Sequence, residues 1–217
     1  MSANIQVSAY RMVPPFAQGF VRDLRVRWAL EEAGLPYEAV LIDHQARNAP
    51  AYRQWQPFGQ VPAYRDKDVE LFESGAAVLH IARKSAALSP QDEAGLARTT
   101  AWVIAALNSI EPWSLTYVHL KDARPHVAPV LKARLGQLSD WLGDKEYLEG
   151  GRFCAGDLIM ATVLREIAHG NADVTAPWPN LNAYRERCLA RPAFGRALEA
   201  QLKVFRDNAP PAQTANA

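Results

Sequence analysis

Residues 56–62, QPFGQVP, and residues 71–75, LFESG, decide the fold of this 217-residue chain. The first stretch ends in a Val61–Pro62 step, where proline removes a backbone donor and makes a cis peptide bond accessible. Because a residue before proline is kept out of the helical region, Val61 is expected to be extended, with its N–H and C=O facing outward. Such a residue can pair with an extended, peptide-like ligand.

The second stretch places Glu73 and Ser74 at the start of an apolar run that predicts a helix over residues 73–83. The unpaired N–H groups and the dipole of a helix start favour a bound carboxylate. Together the two stretches predict a pocket for a small peptide with a charged, amino-acid-like end. The plainer alternatives are an ordinary turn proline at Pro62 and a Glu73–Ser74 pair that caps its own helix.

Composition narrows the class of protein. The formal net charge is +1, which gives no strong field to attract nucleic acid or an anionic membrane. No apolar run reaches the ~18 residues of a helix that spans a membrane. The N-terminal residues lack the basic segment followed by an apolar one that would predict a secretory signal. Cys154 and Cys188 are the only cysteines, at a spacing unlike any metal site. The expectation is a reduced, cytoplasmic protein without a metal.

Strand and helix patterns alternate in the first part of the chain. Paired prolines at Pro14 and Pro15 make residues 11–19 a loop. The predicted elements are strand 5–10, helix 20–33, strand 36–42, a short irregular helix within 43–56, a hairpin of strands 61–64 and 69–72, and helix 73–83. This βαβαββα order predicts an α+β, thioredoxin-like domain over residues 1–84, followed by a linker over residues 85–90.

Residues 91–207 are helical in pattern and predict an all-α domain. Residues 91–120 are predicted to form one long helix with a kink at Pro112. A later stripe with steps of three and four residues is typical of an amphipathic helix: Val127, Leu131, Leu135, Leu138 and Leu142. Helices over 158–168, 181–191 and 193–205 complete the bundle. Residues 208–217 are predicted to be a disordered tail.

With their order and spacing, the two opening stretches resemble the glutathione-binding site of the glutathione transferase superfamily. Residues 26–38, VRWALEEAGLPYE, are similar to the family's first helix and second strand. The resemblance implies a cytosolic-type transferase that uses glutathione as co-substrate. It also implies that Val61, flanked by Gln60 and Pro62, pairs through its backbone with the cysteinyl part of glutathione.

By the same resemblance, Glu73 and Ser74 hold the ammonium and carboxylate of the γ-glutamyl end. The position that would bind the glycine carboxylate is Gln54, two residues before Gln56, which stands where the family has Asn. Three further loop side chains are candidates for that carboxylate, or are simply solvated: His44, Arg47 and Arg53.

The residue that activates the glutathione sulfur is not evident. A thiol of pKa about 8.5 is mostly protonated at neutral pH, so a transferase must stabilise the thiolate. The family supplies a Tyr, Ser or Cys near the first helix, but two alignments put that position at Phe20 or Pro14, and residues 11–43 contain no Ser, Thr or Cys. Tyr10 is the nearest hydroxyl and the candidate catalytic residue, with an aromatic cap on the sheet as its alternative. Non-hydroxyl stabilisation is also open, from these groups: Gln18, the amides of Gly19 and Phe20, and Arg22.

A second substrate with an apolar body is expected, since apolar side chains cluster in the loop and in one helix. The predicted wall consists of Val13, Pro14, Phe16, Trp113, Leu115 and Tyr117. The alternative is that Trp113 and Tyr117 fill the core of the bundle. The histidines at 119, 126 and 169 have no partner spacing, and no metal is assigned to them.

A capping motif is predicted at Cys154 and Asp157. In the family a Ser or Thr stands at the first position and the Asp three residues later closes a capping box. Asp157 fits, whereas a cysteine sulfur is a weak acceptor and leaves the other half of the box open. The motif concerns folding rather than catalysis.

The sequence thus predicts an enzyme in which the thiolate of bound glutathione attacks a small electrophile. The alternatives are a glutathione-dependent isomerase or peroxidase, or a non-catalytic regulatory protein that kept the pocket. The resemblance further implies a homodimer.

Overall fold

A computed structural model describes residues 5–209 of the chain. Asn208, at the start of the predicted tail, makes two hydrogen bonds. Its backbone N–H donates to the Val204 carbonyl in the last helix, and its side-chain oxygen accepts from Arg11 in the loop after the first strand. The rest of that tail, residues 210–217, lies outside the described residues.

The first part of the chain forms a four-stranded mixed sheet flanked by three helices. The strands are β1 (Gln6–Tyr10), β2 (Glu38–Ile42), β3 (Ala63–Arg65) and β4 (Glu70–Phe72), and the helices are α1 (Asp23–Ala33), α2 (Pro50–Trp55) and α3 (Ser74–Ala82). The strand order is β2-β1-β3-β4; β1 runs parallel to β2 and antiparallel to β3, and β3 runs antiparallel to β4. This is the predicted thioredoxin-like arrangement, which is confirmed.

Helix α1 begins three residues later than predicted. Gly19 has a φ of 83°, in the left-handed region, and the chain turns through residues 20–22 before Asp23 starts the helix. The end is as predicted, because Gly34 closes the helix with a φ of 66°.

The second part of the chain is all-α, as predicted, and residues 83–92 join it to the first without a helix or strand. Its helices are α4 (Glu93–Ile104), α5 (Glu111–His119), α6 (Arg124–Leu142), α7 (Ala155–Ala168), α8 (Ala172–Thr175), α9 (Pro179–Leu189) and α10 (Pro192–Asp207). Every residue of the predicted amphipathic stripe is buried on α6.

The predicted kink at Pro112 is replaced by a π-helical segment over Ala105–Ile110 that separates α4 from α5. Pro112 lies in the first turn of α5, where its missing N–H has no partner to lose. The π-helical segment meets the first domain, because a Cβ on Gly75 would lie 2.5 Å from Leu107 Cδ1. A Cβ at this second residue of α3 would require the Leu107 side chain to shift.

One hydrophobic core spans both parts of the chain. Trp28 of α1 is fully buried, with its ring 5.8 Å from that of Phe153 and 4.8 Å from that of Phe194. Helix α1 also contacts α7 and α10. The two domains are therefore packed against each other through α1.

The capping box at the start of α7 is complete. Asp157 Oδ2 accepts from the Cys154 amide at 2.8 Å, and the Cys154 sulfur faces the Asp157 amide, which supplies the half that the sequence left open. The other carboxylate oxygen accepts from the Leu148 amide and the Tyr184 hydroxyl, each at 2.9 Å. Asp157 therefore joins the loop before α7 to α9.

Within residues 5–209, no helix combines the length and the apolar character needed to cross a membrane.

Candidate functional site

A cavity of about 380 Å³ lies between the two domains. The first domain contributes the end of β1, the loop and turn that lead into α1, and the segment before β3. The second domain contributes α5 and α7. The lining residues include Tyr10, Phe16, Phe20, Arg22, Arg47, Gln60, Val61, Leu115, Val118, His119, Glu166 and His169.

Val61 lines this cavity. The Val61–Pro62 peptide bond is cis. No hydrogen bond from residues 5–209 engages the Val61 N–H or C=O. Val61 therefore offers one free donor and one free acceptor.

A buried relay of hydroxyl groups holds the segment around Val61. The Ala63 amide donates to Ser8 Oγ at 2.7 Å, Ser8 Oγ lies 2.8 Å from the Tyr52 hydroxyl, and Tyr52 donates to the Gln60 carbonyl at 2.5 Å. Because Tyr52 gives its proton to Gln60, Ser8 is the donor to Tyr52. Burial raises the pKa of Tyr52 to about 12, so the phenol stays protonated at neutral pH. These residues fix the backbone on both sides of Val61.

Glu73 adopts an unusual backbone conformation at the start of α3. Its φ of 71° and ψ of 119° make it the one non-glycine with positive φ among residues 5–209. Its carboxylate does not cap α3 and has no ion pair within the described chain, so the capping alternative lacks support. Ala63, which directly follows the first stretch, pairs with Phe72 of the second stretch. The two opening stretches of sequence are thus adjacent in space.

The candidates for the glycine carboxylate lie at different places. Of the four, Arg47 lines the same cavity as Val61, and within residues 5–209 it has no ion pair. Arg53 donates to the Pro57 carbonyl. His44 lies with its ring 5.8 Å from that of Tyr10, and Gln54 is exposed.

Tyr10 lines the cavity from the end of β1, and its hydroxyl has no hydrogen-bond partner among residues 5–209. It also borders a neighbouring cavity of about 850 Å³, where Pro14 and Gln18 lie. Gln18 donates to the Val13 carbonyl at 3.3 Å. Phe20 lines the first cavity but has no donor on its side chain, as the sequence indicated.

Arg22 brings a positive charge to the cavity from the start of α1. Its guanidinium lies 3.3 Å from the Glu111 carboxylate, which also binds Arg25 at 2.5 Å. Glu111 and Arg25 are buried, whereas the Arg22 side chain is 39% exposed. The carboxylate therefore holds Arg22 at the cavity wall while leaving part of the guanidinium free.

The predicted apolar wall is divided by the structure. Phe16 and Leu115 line the cavity, and Val118 joins them. Trp113 and Tyr117 lie on another face of α5 and are absent from the lining. The Tyr117 ring packs against the core under the Arg124 guanidinium, 4.8 Å away.

Three ionisable residues of the cavity were not predicted as site residues: Glu166 was not named from the sequence, and His119 and His169 were considered only as metal ligands. His119 ends α5, Glu166 is on α7, and His169 follows α7, with its ring 4.5 Å from that of Phe20. The available signal was that His119 follows Leu115 by four residues and so shares its helix face. No group of three metal-ligating side chains occurs in the described part of the chain.

Neither cysteine contributes a reactive thiol to the cavity. Cys154 and Cys188 are both buried in the helical domain. Burial raises the pKa of Cys154 to about 12 and that of Cys188 further, so neither forms a thiolate at neutral pH.

Comparison with known proteins identifies the family. Residues 17–83 match the model of the glutathione S-transferase N-terminal domain, and residues 112–192 match that of the C-terminal domain. The chain belongs to the glutathione S-transferase superfamily. Glutathione S-transferase 1 of Triticum aestivum is 30% identical over 208 residues, which cover 84% of this chain and 91% of the relative.

Two further relatives of the superfamily bear on the site. The disulfide-bond oxidoreductase YfcG of Escherichia coli is 27% identical over 198 residues, covering 80% of this chain and 88% of the relative. A glutathione transferase from Burkholderia graminis, solved with two glutathione molecules bound per subunit, superposes with a TM-score of 0.78 at 25% identity. That match covers 91% of this chain and 88% of the other.

Proposed function

We propose that this protein is a glutathione transferase in which the thiolate of bound glutathione attacks an electrophilic carbon. The observation that carries the proposal is the backbone N–H and C=O of Val61 in the interdomain cavity, which have no hydrogen-bond partner among residues 5–209. Glu73 and Ser74 lie outside the lining of that cavity and directly follow β4, whose Phe72 pairs with Ala63. The bound glutathione of the Burkholderia graminis relative supports the proposal.

In the proposed complex, the cysteinyl backbone of glutathione pairs with Val61 as a short added strand. The γ-glutamyl ammonium faces the uncommitted carboxylate of Glu73. The γ-glutamyl carboxylate takes the Ser74 hydroxyl and amide at the start of α3, where the helix dipole favours a negative charge. Arg47 is best placed for the glycine carboxylate, and Gln54 remains the position that the family resemblance indicates.

This pose directs the sulfur toward Tyr10 and Arg22, which line the same cavity. The Tyr10 hydroxyl is the proposed donor to the thiolate. The guanidinium of Arg22 adds a positive charge, which favours the ionised thiol. An electrophile would then contact Phe16, Leu115 and Val118 on the opposite wall.

A second candidate function is disulfide exchange, favoured by the match to YfcG and by a relative that binds two glutathione molecules. One glutathione thiolate would attack a disulfide and expel a thiolate. The second would then attack the mixed disulfide, yielding glutathione disulfide and the second thiol. Because both protein cysteines are buried, every reacting sulfur would come from glutathione or substrate.

Three measurements on the purified chain test these functions. Calorimetric titration detects glutathione binding, conjugation of 1-chloro-2,4-dinitrobenzene reports transfer to carbon, and reduction of 2-hydroxyethyl disulfide reports exchange. We expect binding and conjugation. Disulfide reduction without conjugation would favour disulfide exchange. Glutathione binding without conjugation or reduction would favour a non-catalytic protein. If glutathione does not bind, the transferase, the disulfide-exchange and the non-catalytic binding functions are all removed.

We also propose a homodimer. Phe58 is 63% exposed and Phe72 is 41% exposed, and their rings stand edge to face 5.9 Å apart on the first domain. An exposed aromatic pair of this kind is typical of an interface. Sedimentation velocity should give twice the chain mass for the natural sequence, and a Phe58→Ser variant should sediment as the monomer.

A further inference from the structure

His119 and Glu166 form an ionisable pair on the helical-domain wall of the cavity. His119 Nε2 lies 3.3 Å from Glu166 Oε1. Both residues line the cavity that contains Val61, and they face the first domain across it. The pair therefore stands where the electrophile, rather than the sulfur, is expected.

Glu166 has His119 as its hydrogen-bond partner. The neighbouring Arg165 is directed elsewhere, since it donates to the Gly19 carbonyl and lies over the Phe20 ring. Among residues 5–209, His119 is the partner of Glu166 in a hydrogen bond or ion pair. A carboxylate at this distance orients the imidazole ring.

The other ring nitrogen of His119 is free. The His119 side chain is 58% exposed, whereas that of Glu166 is 20% exposed. With Nε2 directed at Glu166, Nδ1 is available to a molecule in the cavity. An imidazolium fixed by a carboxylate on one side is a suitable general acid on the other.

We propose that His119 donates a proton to the electrophile, positioned by Glu166, and that the preferred substrates are electrophiles whose oxygen takes up a proton when the sulfur adds. This rests on the proposed transferase function and specifies its substrate class. α,β-Unsaturated carbonyl compounds and epoxides belong to that class.

The proton balance of the step is as follows for an unsaturated ketone. The glutathione thiol first releases its proton to solvent. The thiolate then forms the S–C bond, the C=C π bond breaks, and its electron pair moves onto the carbonyl oxygen. His119 gives its proton to that oxygen and recovers one from solvent. The resulting enol tautomerises to the ketone, gaining a proton on carbon and losing one from oxygen, so the sum is addition of the thiol across the double bond. In an epoxide the C–O bond breaks instead, and the alkoxide takes the proton.

An aryl halide provides the contrast. Attack on 1-chloro-2,4-dinitrobenzene spreads the negative charge over the two nitro groups, and the electron pair then leaves with chloride. No atom takes up a proton, so a general acid gives little benefit. The ratio of turnover between the two substrate types therefore reports on proton donation and is insensitive to losses in glutathione binding or folding.

The test compares kcat for 4-phenyl-3-buten-2-one with kcat for 1-chloro-2,4-dinitrobenzene at saturating glutathione. We expect His119→Leu to lower the ketone-to-halide ratio by about 10²-fold, the lower range for general acid catalysis. Glu166→Gln should lower the ratio less, and Glu166→Asp should restore part of it. His126→Leu removes an exposed histidine on α6 outside the cavity lining and should leave the ratio unchanged.

The outcomes separate the two levels of the proposal. If His119→Leu lowers kcat equally for both substrates, or lowers neither, the role of His119 is overturned. The transferase function stands in both cases. Turnover of neither substrate by the natural sequence, in the presence of bound glutathione, would overturn the transferase function and the proton donor with it.

Discussion

At the scale of single residues, Glu73 combines an unfavourable backbone with an unused charge. A non-glycine residue at positive φ is destabilising unless something else requires the side chain. Here the carboxylate neither caps α3 nor forms an ion pair within residues 5–209. The proposed contact with the ammonium of glutathione supplies the reason for a glutamate at this position.

Replacing Glu73 should therefore separate stability from binding. Glu73→Gly should raise the free energy of unfolding by about 1 kcal/mol, because positive φ costs a non-glycine ~1–2 kcal/mol and the added freedom of glycine offsets part of the gain. It should also weaken glutathione binding at least about tenfold, since hydrogen bonds to charged groups contribute ~1.5–3 kcal/mol. Urea unfolding and calorimetry measure the two effects.

Two variants control this prediction. Glu73→Ala removes the carboxylate but keeps the strained conformation, so it should lose affinity without gaining stability. Glu70→Gln changes an exposed glutamate on β4 and should alter neither. Full affinity in Glu73→Gly would remove Glu73 from the proposed site.

Tyr52 illustrates what the sequence does not reveal at this scale. Val61, Glu73 and Ser74 could be proposed from the sequence because the roles proposed for them depend on local backbone chemistry. The relay through Ser8, Tyr52 and Gln60 joins three separate segments, and a tyrosine in a polar stretch carries no sign of it. Only the fold brings these groups together.

Removing the Tyr52 hydroxyl should loosen the segment that carries Val61. In Tyr52→Phe, Ser8 Oγ loses its acceptor and the Gln60 carbonyl loses its donor, so we expect about 1–3 kcal/mol of lost stability. Glutathione affinity should fall as well, although Tyr52 is not a proposed contact. Thermal unfolding and calorimetry are the measurements, and Tyr117→Phe, whose hydroxyl has no partner among residues 5–209, is the control. Unchanged affinity in Tyr52→Phe would show that the relay does not position Val61.

At the scale of secondary structure, most elements were predictable because hydrophobic period and turn residues agree. The division between α4 and α5 was not predictable from the sequence. The apolar pattern continues through Ala105–Ile110, and the π-helical segment depends on contact with Gly75 across the domain interface. The kink was predicted at Pro112 because proline is the usual cause of a kink. In the structure, Pro112 lies in the first turn of α5.

The β3–β4 hairpin is joined to α3 by one carboxylate. Asp66 accepts from Lys84 at 2.7 Å, from His80 at 2.8 Å and from the Tyr64 hydroxyl at 2.9 Å, besides two backbone amides. Burial alone would raise the pKa of Asp66, but these hydrogen bonds outweigh it and hold the pKa well below its usual range.

This depressed pKa predicts how stability depends on pH. Because the folded chain binds the Asp66 proton more weakly than the unfolded chain, the contribution is fully present above the unfolded pKa of about 4 and is lost as pH falls below it. Asp66→Asn should cost about 2 kcal/mol or more at pH 7, and a smaller amount at pH 3. Urea unfolding at both pH values measures this, and an equal cost at the two would contradict it.

At the scale of the whole molecule, the proposed site is a cleft whose two walls come from different domains. The wall proposed to bind glutathione could be located from the sequence, because its stretches lie within one domain and follow a known spacing. The wall formed by Leu115, Val118, His119 and Glu166 depends on the packing of α7 against α1 and of α5 against α7. That arrangement is a property of the assembled domains, and in the proposed enzyme it determines which electrophiles fit.

Glu111 holds the two walls together. Its carboxylate on α5 binds the guanidinium of Arg25 on α1 at 2.5 Å, and both side chains are less than one tenth exposed. Arg25 also donates to Thr162 of α7 at 3.0 Å, while its Nη1 atom has no partner within the described chain. Within the described chain, Glu111 is therefore the carboxylate that balances the buried charge of Arg25.

Glu111→Gln should destabilise the molecule strongly, since breaking a buried pair by removing one charge costs about 3–5 kcal/mol. For a chain of this size each kcal/mol shifts Tm by roughly 2–4 °C, so a drop of about 10 °C is expected in calorimetry. Asp207→Asn, which removes an exposed carboxylate that pairs with Lys203, should cost no more than about 1 kcal/mol. If the two variants shift Tm equally, the domains do not rely on this pair. If Glu111→Gln alone is destabilised and also loses turnover at temperatures below its Tm, Glu111 couples the packing of the domains to the geometry of the cleft.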